Sequence, residues 1–208
     1  MIRLPLFPLP VVLFPGAPMP LHIFEARYRR MVASCLEGDR RFGLVYHDPD
    51  RHGPFRTETG HVGTIAEIEK FQPLPDGRSL IACRGRERFR IDDGVESGTP
   101  YFEAVVEPYE DLAEDEPRRV KEWRRRSVAL FHRVLDEAIG QEPPLPQVSI
   151  EQDPSFVLAR TIKIDPAWQQ QLLEARSERE RLSLIDTLLS NVLDAHARGE
   201  WHPEPDEE

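Results

Sequence analysis

Six of the first twenty residues are proline, at positions 5, 8, 10, 15, 18 and 20. Each fixes its own φ, withholds an N–H and pushes the preceding residue toward β or polyproline geometry. A continuous helix is therefore excluded from residues 1–24. So is the helical core of a signal peptide, although this stretch is apolar and carries Arg3. What remains is short extended pieces, with a turn at Pro15-Gly16. No small-x-small cleavage pattern follows, and no run approaches the ~20 apolar residues of a membrane span. Cys35 and Cys83 are far apart and form no CxxC pair, so they read as reduced, packed thiols rather than a disulfide framework or zinc site. A cytoplasmic location without membrane contact is the expectation.

The character changes at Glu25. Tyr28, Met31, Val32, Cys35 and Leu36 recur at helical spacing, with Arg27, Arg29 and Arg30 between them. The spacing predicts a helix over 25–37, with Glu25 in its first turn and Gly38 as its stop. From Arg41 to Tyr109 the period is two. Phe42, Leu44 and Tyr46 alternate with Gly43, Val45 and His47, and residues 49–60 read as a polar, exposed loop. A longer strand begins after His61, with Val62, Thr64, Ala66 and Ile68 on one face. Asp76-Gly77 joins it as a hairpin to Ser79–Ile91, and Tyr101–Tyr109 supplies a further strand. Strands at this spacing suggest a small barrel or sandwich.

Past Asp111 the pattern is helical. Val120, Trp123, Ser127, Leu130, Phe131, Val134 and Ala138 form an apolar stripe that Gly140 stops. Pro143, Pro144 and Pro146 predict a stiff connector, and Asp153-Pro154 and Asp165-Pro166 each predict a helix start. Ser177-Glu178-Arg179-Glu180 is a capping box that opens a helix with Leu182, Ile185, Leu189 and Val192 on its buried face. The expected division is a β-rich subdomain over 1–112, a helical subdomain over 113–200 and an acidic tail over 201–208.

Charge and motifs narrow the chemistry. With 27 Lys+Arg against 37 Asp+Glu the formal charge is −10, which argues against a general nucleic-acid binder. No GxxxxGK[ST] or GxGxxG occurs, which excludes a phosphate-loop ATPase within these residues. There is no GxSxG, and Lys70, Lys121 and Lys163 offer no loop pattern suited to a Ser–Lys dyad. His47, His52 and His61 gather with Asp48, Asp50 and Glu58, but no two of these histidines have the spacing of a local metal pair, so no metal is expected. Arg84, Arg86, Arg88 and Arg90 at period two would share one strand face. They could bind phosphate groups, or pair with Glu67, Glu69, Glu103 and Glu107 on flanking strands. Arg118 to Arg133 is a basic helix face without interleaved exposed aromatics, and reads as solvated.

Several separated motifs carry a family resemblance. Leu4-Pro5-Leu6-Phe7-Pro8-Leu9-Pro10 through Phe14-Pro15-Gly16, then Met19-Pro20-Leu21-His22-Ile23-Phe24-Glu25, resembles the opening of the Lon protease N-terminal domain. Val62-Gly63-Thr64-Ile65-Ala66, Leu74-Pro75-Asp76-Gly77, the run Gly85 through Arg88 to Ile91, and Glu178-Arg179-Glu180-Arg181-Leu182 are similar to further motifs of that family, in the same order. The resemblance covers about residues 2–195, closest to the bacterial stand-alone forms. It implies an α+β fold: a PUA-like β-pseudobarrel with one early helix, followed by a C-terminal α-helical bundle.

It also implies a function. In the protease this domain engages substrate polypeptides, while separate ATPase and peptidase modules follow it. The expectation here is a non-enzymatic polypeptide-binding module, with an adaptor role, that uses neither cofactor nor metal. Unfolded or peptide substrates are the expected partners, with a protease or chaperone as companion, and the expected state is a monomer or weak dimer. By resemblance, Phe14, His22, Phe24, Glu25, Arg27 and Tyr28 are the candidate peptide-binding residues; the alternative for Phe14, Phe24 and Tyr28 is core packing. The alternative function is RNA or nucleotide binding through the Arg84, Arg86, Arg88 and Arg90 stripe.

Overall fold

The proline-punctuated opening forms two strands, β1 (Ile2–Leu9) and β2 (Pro18–Ile23). The turn between them holds Gly16 at a φ of +75°. α1 (Ala26–Glu37) follows and buries Tyr28, Met31, Val32 and Cys35. Gly38 ends it at a φ of −104°, and the left-handed residue is instead Arg40, whose N–H donates to the Cys35 carbonyl at 2.8 Å. Then come β3 (Arg41–Tyr46), a single helical turn α2 (Pro49–His52), β4 (Val62–Pro73), β5 (Ser79–Gly94) and β6 (Phe102–Pro108). The turn α2 corrects the loop expected at 49–60. Asp48 accepts the Asp50 N–H at 3.0 Å with Pro49 at the first helical position, a cap-plus-proline pair like those at 153–154 and 165–166. Beyond β6 lie α3 (Val120–Arg133), α4 (Ser155–Thr161), α5 (Pro166–Glu174) and α6 (Glu178–Ala197).

This computed structural model describes residues 1–113, 116–140, 147–162 and 164–200. The connector prolines Pro143, Pro144 and Pro146 and the acidic tail over 201–208 lie outside the described residues. The chain divides into two compact units: Met1–Glu110 with Ile164–Glu174, and the described residues of Asp111–Lys163 and Ala175–Glu208. α5 thus belongs with the strands.

In the first unit, hydrogen-bonded neighbours run β2-β5-β4-β3-β1-β6, and β5 pairs with β6 as well. β5, β4, β3, β1 and β6 therefore close a ring, leaving β2 outside it on the first half of β5. β1 and β3 run parallel, a pairing that needs a long crossover, which β2 and α1 supply. Leu4, Leu6, Val45, Ile65, Phe89, Ile91, Ala104 and Val106 fill the ring, with Phe55 and Phe102 packed against them. Phe89 occupies space that two glycines leave open. A Cβ on Gly43 would lie 2.7 Å from Phe89 Cζ, and one on Gly63 would lie 2.6 Å from it and 2.5 Å from the Leu44 carbonyl oxygen.

β5 is not regular. Ala66 pairs with Gly85 but Thr64 pairs with Arg88, so β5 carries one extra residue between those rungs. Cross-strand partners share a face, and Glu67 opposes Arg84 while Thr64 and Val62 oppose Arg88 and Arg90. The bulge therefore splits the arginine series across both faces of the sheet. This corrects the expectation of one stripe, which assumed an unbroken period of two.

In the second unit α3 continues into a π-helical turn, Val134–Ile139, which Gly140 stops in left-handed geometry at a φ of +69°. The Ser177 hydroxyl accepts the Glu180 N–H at 3.1 Å to start α6, which buries Leu182, Ile185 and Leu189, with Val192 half-buried. Arg181 organises this unit. Its side chain is fully buried, donating to Asp111 at 2.6 and 2.7 Å, Asp153 at 2.7 Å, the Ser155 hydroxyl at 2.7 Å and the Ala175 carbonyl at 3.2 Å. The Phe156 ring lies 4.2 Å from the guanidinium carbon.

Two substitutions test these packings. Gly63→Ala should cost about 1–3 kcal/mol by overpacking, read from the urea midpoint, and Phe89→Leu in the same chain should recover part of the loss. Arg181→Met should cost about 3–5 kcal/mol by leaving two carboxylates without their buried partner. It should lower the unfolding midpoint followed by intrinsic tryptophan fluorescence.

Candidate functional site: an apolar patch and a groove beside α1

The residues between β2 and α1 separate into a buried and an exposed set. Phe14 is 2% exposed and Tyr28 4%, so both are core residues and drop out of the surface set. Tyr28 stacks on Phe7 with centroids 4.0 Å apart, and Phe7 lies 6.0 Å from Phe42. Burial comes first in raising the Tyr28 phenol above its ordinary value. Phe24 is the opposite case. It follows Ile23, which the core buries, and is itself 59% exposed. His22 lies beside it, centroids 5.7 Å apart, and the register sets His22 against Leu80, 42% exposed. Arg27 donates from Nε to Glu25 at 2.9 Å and lies 4.6 Å over the Tyr28 ring, so these two charges border the patch. The Glu25 side chain makes no helix cap.

A groove of about 500 Å³ lies beside α1. Ala26, Arg29, Arg30, Ala33 and Leu36 of α1 form one wall. Phe71 and Pro73 at the end of β4, with Leu74 and Arg78 of the hairpin turn, form the other. Ser79, the register partner of Ile23, also lines it, which brings the groove to within a residue of Phe24. Residues 26, 29, 30, 33 and 36 fall at three-four spacing, so this helix stripe was readable in the sequence. The hairpin wall was not, because its approach to α1 is tertiary.

The free edge of β2 has a distinct chemistry. Ala17 accepts from Gly85 N–H at 2.9 Å, so by alternation Met19, Leu21 and Ile23 face β5. The outward positions are Pro18, Pro20 and His22, and two of these have no N–H to offer. An added strand cannot extend the sheet there by regular main-chain pairing.

The arginine series is committed elsewhere. Arg84 pairs with Glu69 at 2.6 Å, Arg86 with Glu67 at 2.9 Å, and Arg90 donates from Nε to Glu107 at 2.9 Å. Arg88 is buried, donates to the Leu173 carbonyl at 2.6 Å and lies 5.1 Å over the Tyr109 ring. Glu103, the remaining acid considered for the series, pairs with Arg3 at 2.8 Å.

Residues 3–191 match the model of the ATP-dependent protease La (LON) substrate-binding domain. The chain belongs to that family. It is 28% identical over 199 residues to the Lon protease of Cytophaga hutchinsonii, covering 89% of this chain and 24% of the relative. It is 29% identical over 200 residues to that of Xanthomonas oryzae, covering 93% and 23%. The chain thus spans about a quarter of the length of these proteases. A RING finger protein of Schizosaccharomyces pombe with a LON peptidase N-terminal domain shares 38% identity over 102 residues, 43% of this chain and 21% of that protein. The fold is that of the Lon N-terminal domain protein from Xanthomonas campestris (TM-score 0.61, 23% identity, 98% of this chain and 100% of that one). The N-terminal domain of the Mycobacterium avium complex Lon protease is comparable (TM-score 0.63, 18% identity, 91% and 99%).

This Lon-family domain has a second cleft in the same unit, of about 720 Å³, lined by Tyr46, His47, His52, Phe55, His61 and Gln170 among others. The sequence gathered the three histidines, and the fold brings them to one cleft. His47 and His52 rings are 5.7 Å apart, but His47 Nε2 donates to the Gly53 carbonyl at 2.7 Å and His52 Nδ1 to the Asp48 carbonyl at 3.1 Å. Among the described residues no group of histidine, cysteine and carboxylate side chains has metal-holding geometry.

Burial holds His61 below the ordinary imidazole value, with Glu174 and Glu58 pulling the other way. The folded state therefore binds this proton less readily than the unfolded state. Stability should be whole above the unfolded value of about 6.5, decline as pH falls from there toward the folded value, and level off below it. His61→Gln should flatten that dependence in thermal midpoints taken between about pH 8 and 5.

Proposed function

We propose that this Lon-family domain is a non-enzymatic polypeptide-binding module that holds apolar segments of unfolded chains on the Phe24 patch and the groove beside α1. The observation that carries the reading is Phe24, a large apolar side chain 59% exposed and flanked by His22 and Leu80. Exposed apolar surface rimmed by polar groups suits protein contact, and Glu25 and Arg27 supply the rim. The family's description as substrate-binding supports the same reading. Its partners are unfolded or peptide substrates. Delivery of such clients to a protease or chaperone, as an adaptor in the cytoplasm, is the role that follows. Among the described residues no helix is long and apolar enough to cross a membrane.

Fluorescence anisotropy with a reduced, carboxymethylated model protein is the test. Phe24→Ala should weaken binding about tenfold, close to the loss of one well-buried apolar contact, and Arg27→Glu several-fold. Both should leave the thermal midpoint unchanged. Tyr28→Ala should instead destabilise the fold by about 3 kcal/mol. Failure of the wild type to bind any member of a broad peptide library sinks the reading.

A further inference from the structure

The groove beside α1 is apolar at its base and cationic at its rim, which bears on what kind of segment it takes. Val32, Ala33, Leu36, Phe71, Pro73 and Leu74 supply the apolar lining. Phe71 is 41% exposed, so a docked side chain has area to cover. Arg29 and Arg30 stand side by side on the helix wall, both exposed, and neither has an ion-pair partner among the described residues. Across from them the Arg29 guanidinium lies over the turn glycine Gly77, where any Cβ would collide with it. Arg78 on the same turn is already held by Asp76 at 2.5 Å.

The contrast with the rest of the unit is the basis of the inference. The chain carries a formal charge of −10, and many arginines of this unit lie against carboxylates: Arg3 on Glu103, Arg41 and Arg86 on Glu67, Arg84 on Glu69, Arg90 on Glu107. An acidic protein repels acidic ligands in general. Two unpaired guanidiniums beside an apolar groove reverse that locally, and a guanidinium fork matches a carboxylate better than any other side chain does.

We propose that the groove selects polypeptide segments in which a carboxylate lies within a few residues of a large apolar side chain. The apolar residue covers Phe71, Leu36 and Leu74, and the carboxylate meets Arg29 and Arg30. This rests on the polypeptide-binding reading above and narrows its substrate class. The pairing is partly exposed to solvent, so it sorts clients rather than supplying most of the affinity, and salt weakens it.

Three fluorescein-labelled peptides with the same Phe-Leu-Val core, flanked by aspartates, serines or lysines, separate the possibilities by anisotropy on the full chain. The aspartate-flanked peptide should bind about tenfold tighter than the lysine-flanked one, with serine between. The difference should shrink between about 50 and 500 mM salt. Arg29→Glu with Arg30→Glu should invert the order, and the milder Arg29→Gln with Arg30→Gln should abolish it at an unchanged thermal midpoint. Equal binding of the three peptides, with Phe24→Ala still weakening each, overturns the selectivity and leaves the binding reading standing. Absence of binding by all three overturns both.

Discussion

β5 is the strand on which the first unit depends. Over residues 79–94 it pairs with β2, β4 and β6, and its second half closes the ring that β1 and β3 complete. One strand can serve three neighbours only if it bends, and its register shifts provide the bend: an extra residue between the rungs at Gly85 and Arg88, another between Ile91 and Asp93. The interior then has to fit a curved wall. Phe89 fills it because Gly43 and Gly63 leave room on the two strands facing it. Gly85 performs the same service on the outside, where the Phe14 carbonyl comes so close that no Cβ could be accommodated. That approach ties the Phe14–Ala17 turn to β5 and fixes where β2 begins.

The candidate site inherits its position from this arrangement. β2 lies outside the ring and Phe24 follows its end, exposed, whereas Phe14, ten residues earlier, and Tyr28, four residues later, are swallowed by the core. α1 covers the sheet with Tyr28, Met31, Val32 and Cys35 and leaves its arginine-bearing stripe facing the β4–β5 hairpin. Packing on one face of the helix thus creates the groove on its flank. Burial of the two thiols follows from the same packing, and desolvation pushes Cys35 and Cys83 up to about 12, so they behave as apolar filling rather than as nucleophiles.

Local signals were legible and tertiary ones were not. The proline spacing, the Asp76-Gly77 hairpin, the α1 stripe, the Asp165 cap and the Ser177 cap all lie within a few residues of what they specify. The single arginine stripe failed because a bulge is set by the partner strand, and nothing in Arg84–Arg90 announces it. The α2 turn failed for a different reason: Asp48-Pro49 carried its signal, and the surrounding polar residues masked it. Arg181 was visible only as part of a motif, since its burial depends on Asp111 and Asp153, 70 and 28 residues away in sequence. For the site, the family resemblance proposed Phe14, Phe24 and Tyr28 alike. Only the closed ring distinguishes the exposed ring from the two buried ones.

Pro18 and Pro20 on the open edge of β2 set the manner of any grip on this surface. With few main-chain donors there, a polypeptide bound as proposed would contribute side chains and keep its own backbone conformation. Holding by side chains alone would ask little of that polypeptide's register. The same two prolines deny that edge the regular row of donors on which extended strands could stack into aggregates.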